Sequence, residues 1–269
     1  MLHITVVQPP YFAGEHPDEA IAEMLKGEMT AVPEGGLILL PEYSNAGGLS
    51  DPERELLALG RADEMLAHAS ATAQARQAYV AINVIERRAG ELRNSTYLFD
   101  RKGRVAFVYD KIHLPPSEVA LGVVRGDGAC VCELDGIRFG FMTCYDVYFN
   151  EQIEHLAKHR PDVILVPGFQ RGERSDVILA QAKLLAFRCN AYVARSSFSM
   201  NTADRGGHTM IVAPDGQILT DLGAEVGRAS LAVDPKEKYM RTAGFGGGMI
   251  RNDDFINNGL CPEVFASQG

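Results

Sequence analysis

Three residues stand just past the point where a short apolar run breaks off, and their side chains are an acid, a cation and a thiol. Glu42 lies two residues past the run 37–40, Lys111 two past the run 105–109, and Cys144 two past the run 137–142. A thiol is the strongest common side-chain nucleophile, but it must first lose its proton. A glutamate within hydrogen-bond reach can take that proton and return it to a leaving amine. A lysine, helped by the backbone N–H after the nucleophile, can stabilise the negative oxygen of a tetrahedral intermediate. Each residue alone has a plainer reading. A free cysteine is most often a small buried hydrophobe, and a strand-end glutamate or lysine is most often a solvated or paired charge. Together they form a catalytic set if the three strands are parallel neighbours, because open α/β sheets hold their sites beyond the carboxyl ends of their strands.

The elements that must position this set follow from periodicity. Residues 2–7 read as a first strand. Residues 18–31 read as an amphipathic helix, with Ile21, Leu25 and Met29 at i, i+4 and i+8 and Asp18 able to cap its start. The fully apolar run 37–40 is short enough for a buried strand. Residues 51–77 are largely helical and break near Gly60, and the runs 79–85, 94–99 and 105–109 are strands. A strand pair, 129–134 and 137–142, surrounds the Asp135-Gly136 turn. Helices at 150–159 and 175–189 flank strands at 163–166 and 191–196, and short strands at 210–213, 217–219 and 229–233 close the pattern. An early helix pair and a late helix pair separated by many strands predict two packed sheets with helices outside. Residues 1–235 are expected to form the catalytic domain. Residues 236–269 show little periodicity and read as an irregular tail, a candidate arm against a partner subunit.

Composition narrows the function classes. The chain has 269 residues, 46% hydrophobic and 23% charged, which suits a globular protein with a sizeable core. A net charge of -9 argues against nucleic acid and anionic membrane surfaces, which need a basic footprint. The first residues, MLHITVVQPPYF, lack the basic start and apolar segment of a signal peptide. No apolar run approaches a membrane span, so a cytoplasmic location is expected. The five cysteines are an odd number in a large chain, which speaks against a disulfide framework. Cys130 and Cys132 put two thiols on one strand face, and with no ligands at metal spacing nearby they read as core. His113 reads as structural and His208 is unassigned. No metal or cofactor is implied.

The motifs around the three residues resemble the nitrilase superfamily of carbon–nitrogen hydrolases. The likeness rests on Leu39-Leu40-Pro41-Glu42-Tyr43, Asp110-Lys111-Ile112-His113-Leu114 and Phe141-Met142-Thr143-Cys144-Tyr145-Asp146, in that order. It extends to Val6-Val7-Gln8, Ile164-Leu165-Val166-Pro167, the stretch from Arg188 to Val193 and Pro214-Asp215-Gly216, and so covers the chain to about residue 233. The resemblance implies an α/β fold, a four-layer α-β-β-α sandwich. It implies Glu42 as general base, Lys111 as stabiliser of the intermediate and Cys144 as nucleophile, with the Tyr145 N–H completing the oxyanion site. Glu118 matches a second glutamate that positions the substrate or the base, and Tyr145, Phe169 and Gln170 are expected in the pocket wall. Phe169 could equally be core.

Tyr145-Asp146 after the cysteine looks like the amidase branch, since nitrilases usually have tryptophan and glutamate there. The implied activity is hydrolysis of a small linear amide by a homo-oligomer. The rivals are an N-carbamoyl-amide hydrolase, a nitrilase, an acyltransferase, or a catalytically silent binding protein of the same fold. The chain departs from the family pattern at Tyr148, where arginine is common, at Asn150, where proline is common, and at Pro115, where phenylalanine is common. It also has no tryptophan.

Overall fold

Strands whose side chains are apolar on both faces must be covered on both, and the chain meets this need with two stacked sheets between two layers of helices. The computed structural model describes residues 1–11, 17–47, 58–262 and 264. The first sheet takes β1 (Leu2–Gln8), β2 (Leu37–Leu39), β3 (Tyr79–Arg88), β4 (Glu91–Phe99) and β5 (Val105–Asp110) in chain order, with β12 (Gly227–Val233) returning antiparallel to β1. The second sheet runs from β6 (Val131–Leu134) through β7 (Ile137–Phe141), β8 (Val163–Pro167), β9 (Tyr192–Ser196) and β10 (Met210–Val212) to β11 (Ile218–Asp221). In the first sheet β1, β2 and β3 are parallel, and in the second β7, β8 and β9 are parallel.

Alternation along β2 shows how the layers form. Leu37 and Leu39 face the core between the sheets, while Ile38 and Leu40 face the outer core under α1 (Pro17–Met29) and α2 (Ala62–Arg76). Between the sheets the Tyr79 ring meets Phe139 at 5.6 Å and Phe107 meets Phe141 at 4.9 Å. On the far side α4 (Asn150–His159) and α5 (Ser175–Cys189) cover the second sheet; α3 (Pro116–Leu121) is a short turn of helix after β5. Gly140 lets α4 approach β7, since a Cβ there would lie 3.0 Å from the Leu156 side chain. The layering is α-β-β-α, as the sequence leads one to expect.

The helix expected over 51–77 is observed as a 3-10 turn at Ala58–Arg61 followed by α2; the expected helical stretch 51–57, the loop residues 48–50 and the Asp18 side chain lie outside the described residues. Cys130 and Cys132 are free thiols packed into or against the inter-sheet core. No described helix is long and apolar enough to cross a membrane.

Two expectations need correction. Among the described residues, the segment after residue 236 holds regular structure. It forms an antiparallel hairpin of β13 (Met240–Thr242) and β14 (Met249–Arg251), then α6 (Asn252–Asn257). Its elements are too short for periodicity to register, and they are held by tertiary polar contacts. Asn190 donates to Asp253 at 2.8 Å and accepts from the Tyr239 N–H at 2.8 Å, and Asn252 donates to the Phe187 carbonyl at 2.7 Å. The second correction concerns the three strands that carry the candidate set. They are not neighbours in one sheet: β2 and β5 are separated by β3 and β4, and β7 belongs to the other sheet.

Candidate active site

The convergence survives that correction because the two sheets are stacked. Glu42, Lys111 and Cys144 approach one another across the interface, two from the first sheet and one from the second. Glu42 sits in a turn after β2 in which Tyr43 takes a left-handed conformation, φ 56°. The turn is fixed by the Tyr43 N–H donating to Asn83 Oδ1 at 2.8 Å and by the Ser44 hydroxyl donating to the Pro41 carbonyl at 2.8 Å. Lys111 is 2% exposed, and its Nζ donates to Glu42 Oε1 at 2.8 Å and to Glu118 Oε1 at 3.0 Å. Glu118 comes from α3 and also accepts from the Tyr43 hydroxyl; its Oε2 is buried without a hydrogen-bond partner.

Cys144 opens a 3-10 turn, Cys144–Tyr148, with φ 46°, a backbone region that costs a non-glycine residue about 1–3 kcal/mol. Asp146 holds this elbow. Its carboxylate accepts from the Thr143 N–H at 2.8 Å, the Tyr109 hydroxyl at 2.6 Å and the His113 N–H at 2.9 Å. His113 also reaches Asp146 through Nδ1 at 3.0 Å, meets Glu151 through Nε2 at 2.8 Å and stacks on Phe149 at 3.8 Å. Those contacts agree with its reading as structural. His208 pairs with Asp221 at 2.8 Å.

The electrostatics follow from burial and these partners. Burial pushes the Glu42 carboxyl up; the Lys111 ammonium opposes this and Glu118 reinforces it, leaving Glu42 above the usual carboxylate range. Burial disfavours the Lys111 charge, but Glu42 and Glu118 outweigh it and hold the ammonium above the ordinary lysine range. The Cys144 residue is partly exposed, yet its thiol is desolvated. Burial and the Glu42 charge raise it well above the ordinary thiol value, against the opposing pull of Lys111. Glu42 and the Phe169 backbone are polar neighbours that act on it. The thiol is therefore protonated at rest, beside a carboxylate of raised basicity.

A pocket of 330 Å³ opens onto Cys144. Tyr145, Phe169 and Gln170 line it, and so do Tyr148, Arg171 and Glu173. Phe169 serves the core as well, meeting Phe198 at 5.1 Å and Tyr11 at 5.7 Å. Sequence reasoning missed a buried polar ladder beneath the set. Asn94 donates to Glu42 Oε1 at 2.9 Å and to Glu118 Oε1 at 2.7 Å; Asn83 donates to Asn94 at 2.7 Å and to Thr96 at 3.1 Å; Thr96 meets Thr143 at 3.1 Å. The available signal was polar side chains in the middle of otherwise apolar strands, which need buried partners.

Two stacked six-stranded sheets between helix layers, with an acid, a lysine and a cysteine meeting at one end, define the architecture of the nitrilase superfamily. The carbon-nitrogen hydrolase family model matches residues 5–236, and the chain belongs to that family. Among curated relatives, the 2-oxoglutaramate amidase of Bacillus subtilis (strain 168) is 26% identical over 163 residues, 59% of this chain and 62% of that protein. The match thus spans less than two thirds of that relative's length. The 2-oxoglutaramate amidase of Paenarthrobacter nicotinovorans is 25% identical over 249 residues, 87% of this chain and 84% of that protein. Among solved structures, the NitN amidase of Nesterenkonia sp. AN1 superposes with a TM-score of 0.77 at 18% identity, covering 100% of both chains, a likeness of fold.

Proposed function

We propose that the protein is an amidase that hydrolyses a small linear amide through a thioester on Cys144. The observation that carries this reading is the buried Glu42–Lys111 pair at 2.8 Å beside the thiol of Cys144, which lines the open pocket. The names of the two amidase relatives support the substrate class. Glu42 takes the thiol proton as sulfur attacks the amide carbonyl and a C–S bond forms. The oxygen of the tetrahedral intermediate is stabilised by Lys111, which has a third N–H beyond the two given to the carboxylates, and by the Tyr145 N–H. Glu42 passes its proton to the leaving nitrogen, the C–N bond breaks and ammonia or an amine departs. Water, deprotonated by Glu42, then attacks the thioester, and the carboxylic acid leaves as the thiol is restored. Glu118 positions Lys111 in this scheme, and its free Oε2 can accept from the substrate amide. Tyr145, Phe169 and Gln170 form the wall against the acyl chain.

A panel of small amides, ureides and nitriles tests this, with ammonia release and intact mass as readouts. Ammonia from amides, with an acyl adduct that is absent in Cys144→Ala, is the expected result. Equal behaviour of wild type and Cys144→Ala on every compound overturns the hydrolase reading, and turnover of nitriles without amides moves it to the nitrilase branch.

A further inference from the structure

The lining of the Cys144 pocket carries charge that this mechanism does not use. Arg171 lines the pocket with Cys144, and its guanidinium lies over the Phe169 ring at 5.5 Å. Among the described arginines it is the one whose side chain makes no hydrogen bond or ion pair. Its neighbours show the contrast: Arg174 is paired with Asp176 and Arg205 with Asp204. In a chain of net charge -9, an arginine at the mouth of the pocket without a carboxylate partner is a vacant anion contact.

A second arginine stands behind the same wall. Arg195 is 3% exposed and donates to the carbonyls of Gly207 and His208 and to Gln170 Oε1 at 3.2 Å. No described carboxylate forms an ion pair with it; Cys144 and then Asp221 act on it from a distance, and Asp221 is bonded to His208. Gly168 gives this side chain its room; a Cβ there would lie 3.4 Å from the guanidinium. Glu173 is the carboxylate among the described lining residues, and its oxygens already accept from the Tyr148 hydroxyl and the Arg174 N–H. The Cys144 end of the pocket balances one lysine against two glutamates. At the mouth Arg171 stands against one occupied glutamate, and Arg195, within electrostatic reach of Cys144, adds a second cation without a carboxylate partner behind Gln170.

We propose that the pocket selects amides whose far end carries a carboxylate, and that Arg171 receives it. This rests on the amidase reading above. The amide carbon sits at Cys144, and the carboxylate takes the N–H fork of Arg171, with the buried Arg195 charge behind Gln170 adding to the positive potential of the wall. Glu173 makes a terminal ammonium the competing choice.

Three five-carbon amides separate the cases: glutaramate with a carboxylate end, valeramide with a methyl end and 5-aminovaleramide with an ammonium end. The expected kcat/KM order places glutaramate about tenfold or more above the other two. The glutaramate-to-valeramide ratio is expected to fall about tenfold in Arg171→Gln, through KM, and to be largely kept in Arg171→Lys. The side chain is exposed, so these variants leave the core intact. A ratio unchanged in Arg171→Gln, or a preference for 5-aminovaleramide, overturns the inference while leaving the amidase reading standing. Absence of ammonia and of any Cys144 adduct with all three compounds, and with the wider panel, defeats the amidase reading and this inference with it.

Discussion

The Tyr109 hydroxyl donates to the Asp146 carboxylate at 2.6 Å and so ties the end of β5, in the first sheet, to the Cys144 turn, in the second. The same hydroxyl accepts from Gln152 Nε2 at 2.8 Å. Tyr109 is fully buried, so Tyr109→Phe leaves two buried polar groups short of a partner. The expected loss is about 1–3 kcal/mol in urea unfolding, at constant m-value. Because Asp146 holds the strained φ of Cys144, the variant should also lose kcat more than it raises KM. A variant as stable and as active as wild type would show that the tie does not hold the elbow.

Removing Lys111 tests the charge arrangement. Lys111→Met leaves the Glu42 and Glu118 carboxylates buried without their cation, and should destabilise by about 3–5 kcal/mol near neutral pH. The sign of the pH dependence is fixed. Glu42 already has a raised carboxyl, and without Lys111 it rises further, so the folded state binds more protons than the unfolded state. Stability of the variant should then fall as pH rises and recover on acidification. Wild type gains stability from the raised lysine, which is fully present below the ordinary lysine value of 10.5 and is lost as pH climbs through the folded value. Paired denaturation curves at pH 5 and pH 8, where the wild-type lysine contribution is constant, measure the variant's trend; a variant deficit that grows toward pH 5 contradicts this account.

Asn94 bridges Glu42 and Glu118, and an N–H donated to Glu42 favours its charged form. Asn94→Ala removes a donor to Glu42, whose carboxyl should rise further. The acid limb of kcat/KM reports the free enzyme's base, and for wild type it should lie above the ordinary carboxylate range. In Asn94→Ala it should move to higher pH. An acid limb that stays in place would remove Glu42 from the role of base.

His113 is held by Asp146, Glu151 and Gln152 with both ring nitrogens engaged, and hydrogen bonding to Asp146 raises its ionisation against the effect of burial. The charged imidazole therefore adds stability that is fully present below its ordinary value of 6.5 and is lost as pH rises through the folded value. His113→Asn should cost more at pH 6 than at pH 9. Thermal melts at the two pH values decide, and an equal cost at both would show that the charge does not contribute.

We further propose that the segment after residue 236 contributes to self-association. Phe245 at the hairpin tip is fully exposed, and Met240 and Met249 on its strands are exposed as well. Phe245→Ser with Met249→Ser should shift sedimentation toward the monomer with little change in melting temperature. An unchanged distribution removes the hairpin from any subunit contact.

Much of this site was legible in the residues alone. Glu42, Lys111, Cys144 and Glu118 could be named because each is a charged or nucleophilic residue just past an apolar strand or within a recognisable block, and periodicity gives most strand ends to within about three residues. The buried ladder of Asn83, Asn94, Thr96 and Thr143 was not legible, since a polar residue in a strand does not announce which distant atom satisfies it. Arg195 and Arg171 were missed for a related reason. Sequence shows a cation, but only packing shows whether a carboxylate stands beside it.

The sequence by itself determined the local elements, the layered fold class and the kinds of residue available for chemistry, because side-chain periodicity and turn formation are set by near neighbours. The tertiary structure decided which sheet each strand joined, that the acid and lysine meet the thiol across two stacked sheets and not along one edge, and that residues 240–257 fold onto α5. Those are choices among distant backbone and side-chain partners. They depend on which surfaces bury one another, a property of the whole chain that no local pattern contains.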